Sequence, residues 1–164
     1  MKLPPHTLTT SYASPLGCIY LGAAGSRLVG AWFEGQAHLP DLSGLSQAPD
    51  HPVLLQASAQ LAEYFAGQRL RFDLTLDLSN GTAFQNAVWQ ALLTIAAGSS
   101  LSYGALATQL GKPHAVRAVG AAVGRNPISI IVPCHRVLGA DGSLTGYAGG
   151  LQRKTALLQL EGAL

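Results

Sequence analysis

Four residues, Ser79-Asn80-Gly81-Thr82, divide this chain of 164 residues into two hydrophobic regimes. Just before them, "LRFDLTLDL" alternates apolar and polar side chains, the period of a strand with one buried face. Just after them, Phe84, Val88, Trp89, Leu92 and Leu93 recur at helical spacing. One continuous sheet or one helical bundle cannot satisfy both periods. The break predicts two domains, residues 1–80 and residues 81–164.

The first half predicts an α/β domain, a small antiparallel sheet plus a helix. "HTLTTSYASPLGCIYLGAAGSRLVGAWFEG" alternates and carries turn signals at Ser14-Pro15-Leu16-Gly17 and Gly25-Ser26, as a hairpin or meander does. "LPDLSGLSQAPDHP" reads as a loop. "PVLLQASAQLAEYFAGQ" places Leu54, Ala57, Leu61 and Tyr64 on one helical face. "LRFDLTLDL" adds a further strand.

The second half predicts a mainly helical domain. Thr82 and Gln85 fit a capping box, and Gly98 is expected to end the helix they start. Ser102 caps a short helix, "YGALATQL", that Gly111 stops. "AVRAVGAAVG" follows, so helix, glycine-containing turn, helix spells a helix-turn-helix, a pattern that other helical hairpins share. Val116, Val119, Gly120 and Val123 form its packing stripe, and Arg117, Ala121 and Arg125 share another face beside Ala118 and Ala122. A helix that reads base edges usually carries long polar side chains. This thin face suits close approach to a nucleic-acid backbone or minor groove; it equally suits packing on a neighbouring helix through small residues. "ISIIV" reads as a short buried strand ending at Pro133-Cys134, "GADGSLTGYAGG" as a loop and "LQRKTALLQLEG" as the last helix.

Charge separates the halves. Residues 1–80 carry four basic against six acidic side chains, and residues 81–164 carry six against two, so the net is −2 and then +4. The basic half could meet a polyanion. With 48% apolar and 11% charged residues, a real core can be buried. "MKLPPHTLTT" lacks the apolar stretch of a signal peptide and no run approaches the length of a membrane span, so a cytoplasmic protein without membrane contact is expected. Cys18 and Cys134 could form one disulfide, but two free thiols in a reducing compartment fit better, with Cys18 as a strand core residue. No CxxC or CxxH pair exists, and His6, His38 and His51 are scattered, so neither metal nor cofactor is expected.

Cys134 lies between Pro133 and His135-Arg136. A thiol kept for packing needs no charged neighbours; a nucleophilic thiol needs a base or cation to draw off its proton. Neighbours in an extended strand point to opposite sides, so direct contact with His135 is not guaranteed, and a bridging water could relay the proton instead. An imidazole acting as base needs a partner for its other nitrogen. Glu161 is the candidate: one of two acids in the second half, on a face with Leu157 and Lys154. A Cys-His pair is also common in proteins that do no chemistry, and a carboxylate near a chain end is commonly solvated.

The ordered set "FQNAVWQAL", "SYGALA", "RAVGAA", "NP", "PCHRV", "GYAGG" and "LLQLEG", from Phe84 to Glu161, resembles the O6-alkylguanine-DNA alkyltransferases, the methylated-DNA–protein-cysteine methyltransferases. The first 80 residues match only generally, through "SPLG". The resemblance implies direct reversal of DNA alkylation. The alkyl group of O6-alkylguanine, with O4-alkylthymine a second candidate, would pass irreversibly to Cys134 in a single turnover. It implies a water-linked His135–Glu161 relay, Asn126 as a tether of the active-site turn, and Arg117 as the finger that fills the gap left by a flipped nucleotide. Tyr103 would help rotate the 3′ phosphate and meet the base. Ala118, Ala121 and Arg125 would lie against DNA without sequence specificity. Tyr147, Ala148, Val137 and Pro133 would line the pocket. The carbonyls of Cys134 and Val137 would take the guanine's amine, and the amide of Ala148 would donate to O6. Ala148 stands where several relatives have serine, a departure a backbone contact should tolerate. A monomer acting on duplex DNA is implied. A sensor that keeps the fold but lacks the acceptor cysteine, and a cysteine hydrolase, are the rivals; Cys134 speaks against the first, and nothing beyond the Cys-His pair supports the second.

Overall fold

The computed structural model describes residues 1–164, gathered into two compact units. The first holds Met1–Asn80 and Pro127–Ser129; the second holds Gly81–Asn126 and Ile130–Leu164.

In the first unit, β1 (Leu8–Ser14), β2 (Gly17–Ala24) and β3 (Arg27–Phe33) form an antiparallel meander. Pro15 and Leu16 make the first turn, and Gly17 accepts the φ of 112° that follows. A two-residue strand, β4 (Ser46–Gln47), lies parallel to β1, so the sheet is mixed, in the order β3-β2-β1-β4. The loop expected there thus contains one short edge strand. Helix α1 (Pro52–Phe65) begins with His51, whose Nδ1 accepts from the amide of Val53, and with Pro52, whose missing N–H costs nothing at that place. Its face of Leu54, Ala57, Leu61 and Tyr64 is buried, as are Ile19, Leu21, Leu28, Ala31, Trp32 and Phe33 from the sheet.

Two expected strands are absent. "LRFDLTLDL" makes a single bridge between Leu28 and Leu76. The reason is a competing partner: Gln60 of α1 accepts from the amide of Asp73 and donates to its carbonyl, both at 2.9 Å, and Gln56 donates to the same carbonyl. Helix side chains satisfy the backbone there, so the ladder stops. "ISIIV" likewise makes a single bridge, Ile128 to Ala31, and then runs through turns. Pro127–Ser129 joins the first unit, where Ala31 donates to Pro127 and accepts from Ser129. Ile130 then takes φ 72°, which no strand permits.

In the second unit, α2 (Ala83–Leu92) starts with the expected capping box: Thr82 accepts from the Gln85 amide, and Gln85 accepts from the Thr82 amide. It ends at Leu92, short of Gly98, because Thr94 and Ile95 turn back with 3-10 bonds. α3 (Tyr103–Gln109) is capped by Ser102, and α4 (Val116–Gly124) packs on both α2 and α3. Buried Trp89 donates from Nε1 to the Ala122 carbonyl at 2.8 Å and so ties α2 to α4. The buried stripe of α4 is Val119, Ala122 and Val123, while Val116, the first residue of the helix, is 38% exposed. β5 (Leu101–Ser102) pairs in parallel with β6 (Val137–Leu138), and α5 (Leu151–Leu160) closes the chain.

Candidate active site

Cys134 opens a 3-10 turn, Cys134–Arg136, immediately before β6. This replaces the strand tip expected for it. Val132 receives two hydrogen bonds on its carbonyl, from the Cys134 amide at 2.8 Å and from Asn126 Nδ2 at 2.7 Å. Asn126 is buried and closes the loop in front of the cysteine. Within that loop Ile130 is 1% exposed with a left-handed backbone, a conformation costing a β-branched residue roughly 1–2 kcal/mol. Packing and the Asn126 tether hold it there.

Cys134 is buried, 5% exposed. Burial pushes its pKa up to about 11; the hydrogen bond with Asn126 and the charge of Lys154 act the other way. The resting sulfur is therefore a protonated thiol.

His135 is fully buried, and its Nε2 lies 2.8 Å from Glu161 Oε2. Since the carboxylate accepts, Nε2 carries the hydrogen and Nδ1 presents a lone pair. That Nδ1 is buried and has no hydrogen-bond partner, so it is an enclosed base. Burial holds the imidazole below its usual pKa, while Glu161 pulls it up. Glu161 caps the end of α5, and its side chain is wholly enclosed, unlike the solvated carboxylate of a fraying helix end.

Sequence reasoning missed two cations. Arg136 grips Glu161 with both arms, Nε to Oε1 at 2.8 Å and Nη2 to Oε2 at 2.9 Å, and donates from Nη1 to the Ile95 carbonyl at 2.5 Å. This bidentate pair keeps Glu161 ionised inside the protein. Lys154 is also fully buried, its Nζ donating to the carbonyls of Val137, Thr145 and Gly146. The signal for Arg136 was present in the sequence, as a cation adjoining the Cys-His pair in a half with only two acids.

The other expected residues fall in two groups. Tyr103 donates from its hydroxyl to the Thr145 carbonyl, its pKa raised first by burial and then by the Cys134 sulfur. Pro133 and Val137 are buried; Tyr147 and Ala148 are half-buried in the glycine-rich loop. One acceptor position of the Val137 carbonyl is taken by Lys154. Arg117, Ala118, Ala121 and Arg125 stand together on exposed surface along α4. No group of three His, Cys, Asp or Glu side chains could hold a metal ion, and no helix is long and apolar enough to cross a membrane.

Two family profiles cover nearly the whole chain. Residues 83–163 match the 6-O-methylguanine DNA methyltransferase DNA binding domain, and residues 7–78 match the ribonuclease-like domain of the same proteins. The chain belongs to the methylated-DNA–protein-cysteine methyltransferase family. A methyltransferase of this name from Mycobacterium leprae is 50% identical over 151 residues, 92% of this chain and 90% of the relative. The Salmonella typhimurium methyltransferase is 59% identical over 107 residues, 65% of this chain and 63% of the relative. Among solved structures, the Mycobacterium tuberculosis methyltransferase in complex with DNA superposes with a TM-score of 0.86 at 48% identity, covering 96% of this chain and 92% of that one. Cys134 lies within the matched DNA binding domain and Cys18 within the matched ribonuclease-like domain.

Proposed function

We propose that the protein repairs alkylated DNA by moving the alkyl group of O6-alkylguanine to Cys134 in a single irreversible turnover. The observation that carries this reading is the assembly around one sulfur: a buried thiol on a tethered turn, beside a buried imidazole whose far nitrogen is held by an Arg136-neutralised carboxylate.

The chemistry follows from that assembly. A thiol with a pKa near 11 is almost entirely protonated at neutral pH, so a base must take its proton as attack begins. His135 Nδ1 is that base, reached through one water, and the Nε2–Glu161 contact steadies the imidazolium that forms. The sulfur displaces guanine O6 at the alkyl carbon. One C–O bond breaks, one S–C bond forms, and the proton removed from sulfur balances the one delivered to the guanine by way of Tyr103. The thioether has no water-labile bond, so each molecule acts once. O4-alkylthymine presents the same exocyclic alkyl ether and is a second substrate.

A paired base cannot reach a buried thiol, so the nucleotide must rotate out, at a cost of a few kcal/mol. α3 and α4 serve as the helix-turn-helix, with the small residues Ala118 and Ala121 against the minor groove. Arg117 enters the vacated stack and offsets part of the cost. Arg125 adds phosphate contact, and Tyr147, Ala148, Val137 and Pro133 wall the pocket. Binding without base-edge contacts suits a monomer that must find damage in any sequence.

The test is mass spectrometry after incubation with O6-methylguanine duplex. The Cys134 peptide should gain the mass of one methylene, one methyl per protein. Cys134→Ser should bind the duplex and leave it methylated. Repeated turnover, or transfer to another residue, refutes the reading.

A further inference from the structure

Lys154 has an environment that the transfer chemistry above does not use. Of the three lysines only Lys154 is buried, and it is fully so. A buried ammonium ordinarily has a carboxylate partner. Here the one buried acid, Glu161, is engaged by Arg136 and His135, and Lys154 forms no ion pair. Three carbonyls replace it: Val137 at 2.6 Å, Thr145 at 2.9 Å and Gly146 at 3.2 Å. They use all three donors of an ammonium, an arrangement a planar guanidinium would not reproduce.

The carbonyls come from two places. Val137 begins β6, directly after the turn that holds Cys134. Thr145 and Gly146 lie in the glycine-rich loop, immediately before Tyr147 and Ala148. Tyr103 reaches the same Thr145 carbonyl, and its ring centroid lies 5.9 Å from Nζ. One side chain therefore ties together the strand that follows the nucleophile's turn, the loop of the pocket wall and the tyrosine beside them.

We propose that Lys154 is a positioning residue for alkyl transfer, pinning the Thr145–Gly146 turn to Val137 while holding a positive charge toward the Cys134 sulfur. This rests on the alkyl-transfer reading above. The charge favours the thiolate that attack requires, and the pinning fixes the loop that meets the base. The titratable and charged groups facing it are the Cys134 thiol and His135 from the 3-10 turn and the Tyr103 phenol from α3, while Arg136 is engaged by Glu161. Arg153, its neighbour on α5, is turned to the Gly149 carbonyl. Burial brings Lys154 down to about 8, with the sulfur pulling it up, so the clamp loses its charge in mildly alkaline solution. Below that value the ammonium is intact; above it the third donor and the charge disappear together.

The experiment is the single-turnover rate of methyl transfer from an O6-methylguanine duplex, measured from about pH 6 to 9.5, for wild type, Lys154→Met and Lys154→Gln. The wild-type rate should rise with pH and bend downward near 8. Both variants should be slower at neutral pH by about tenfold, the effect of one nearby charge on a thiolate, and should lack the bend. Their affinity for the duplex should stay within about twofold of wild type, since Lys154 is buried away from solvent. Lys154→Gln keeps donors for the carbonyls and serves if Lys154→Met does not fold. Three results overturn the proposal: variants as fast as wild type, slower variants that keep the bend, or a wild type with no bend. A wild type that leaves the duplex methylated refutes the alkyl-transfer reading instead.

Discussion

Glu161 meets Arg136 through both carboxylate oxygens, Oε1 to Nε at 2.8 Å and Oε2 to Nη2 at 2.9 Å, with the Glu161 side chain wholly enclosed. Removing the charge of one partner strands the other in the interior, which typically costs about 3–5 kcal/mol. Glu161→Gln should lower the unfolding free energy by that much, measured by urea denaturation. Adding Arg136→Met should restore most of the stability, because a buried pair can be replaced by apolar groups of similar volume. Methyl transfer should stay lost in the double variant, as His135 still lacks its carboxylate. Recovery of transfer together with stability would show that Glu161 acts only as a structural ion.

Asn126 serves two acceptors, the Val132 carbonyl and the Cys134 sulfur. Asn126→Ala leaves a buried carbonyl with one bond fewer and the thiolate without a donor. Stability should fall by about 1–3 kcal/mol. The pH midpoint for carboxymethylation of Cys134 should rise above the wild-type value, since the hydrogen bond lowers it. An unchanged midpoint would confine Asn126 to holding the loop.

His135 has a folded pKa below its unfolded one, because burial outweighs the pull of Glu161. The native protein then binds fewer protons than the unfolded chain in mild acid. Its contribution is complete above about 6.5 and is lost as pH falls. The urea midpoint should decline between about pH 6.5 and 5, and His135→Asn should flatten that decline. Parallel slopes for the two proteins would show that this imidazole stays protonated on folding.

Arg117 is exposed on α4, so Arg117→Ala should leave stability within about 0.5 kcal/mol. Repair of duplex DNA should slow roughly ten- to a hundredfold, the share of flipping cost an inserted side chain can offset. Reaction with free O6-methylguanine base, which needs no flipping, should be unchanged. Equal losses on both substrates would place Arg117 in the pocket rather than in the stack.

Much of the architecture was legible from local signals. The meander of β1 to β3 follows from alternation and from glycines at turns, and α1 to α5 follow from helical periodicity and caps such as Thr82 and Ser102. Local reading failed where a distant group won a contest for the backbone. "LRFDLTLDL" alternates like a strand, yet Gln60 holds Asp73, and "ISIIV" is apolar like a strand, yet Ser129 bonds to Ala31 and Ile130 turns left-handed.

The candidate site divides along the same line. Which groups are available can be read from residue order alone: a thiol beside an imidazole, a guanidinium next to both, an asparagine before a proline, and few acids to neutralise so many cations. How they pair emerged only on folding. Burial made Glu161 the shared partner of His135 and Arg136, left Lys154 with three carbonyls and no anion, and raised the thiol far above its usual range. The physical reason is that hydrogen-bonding capacity belongs to a side chain, whereas the cost of desolvating a charge depends on what long-range folding places around it.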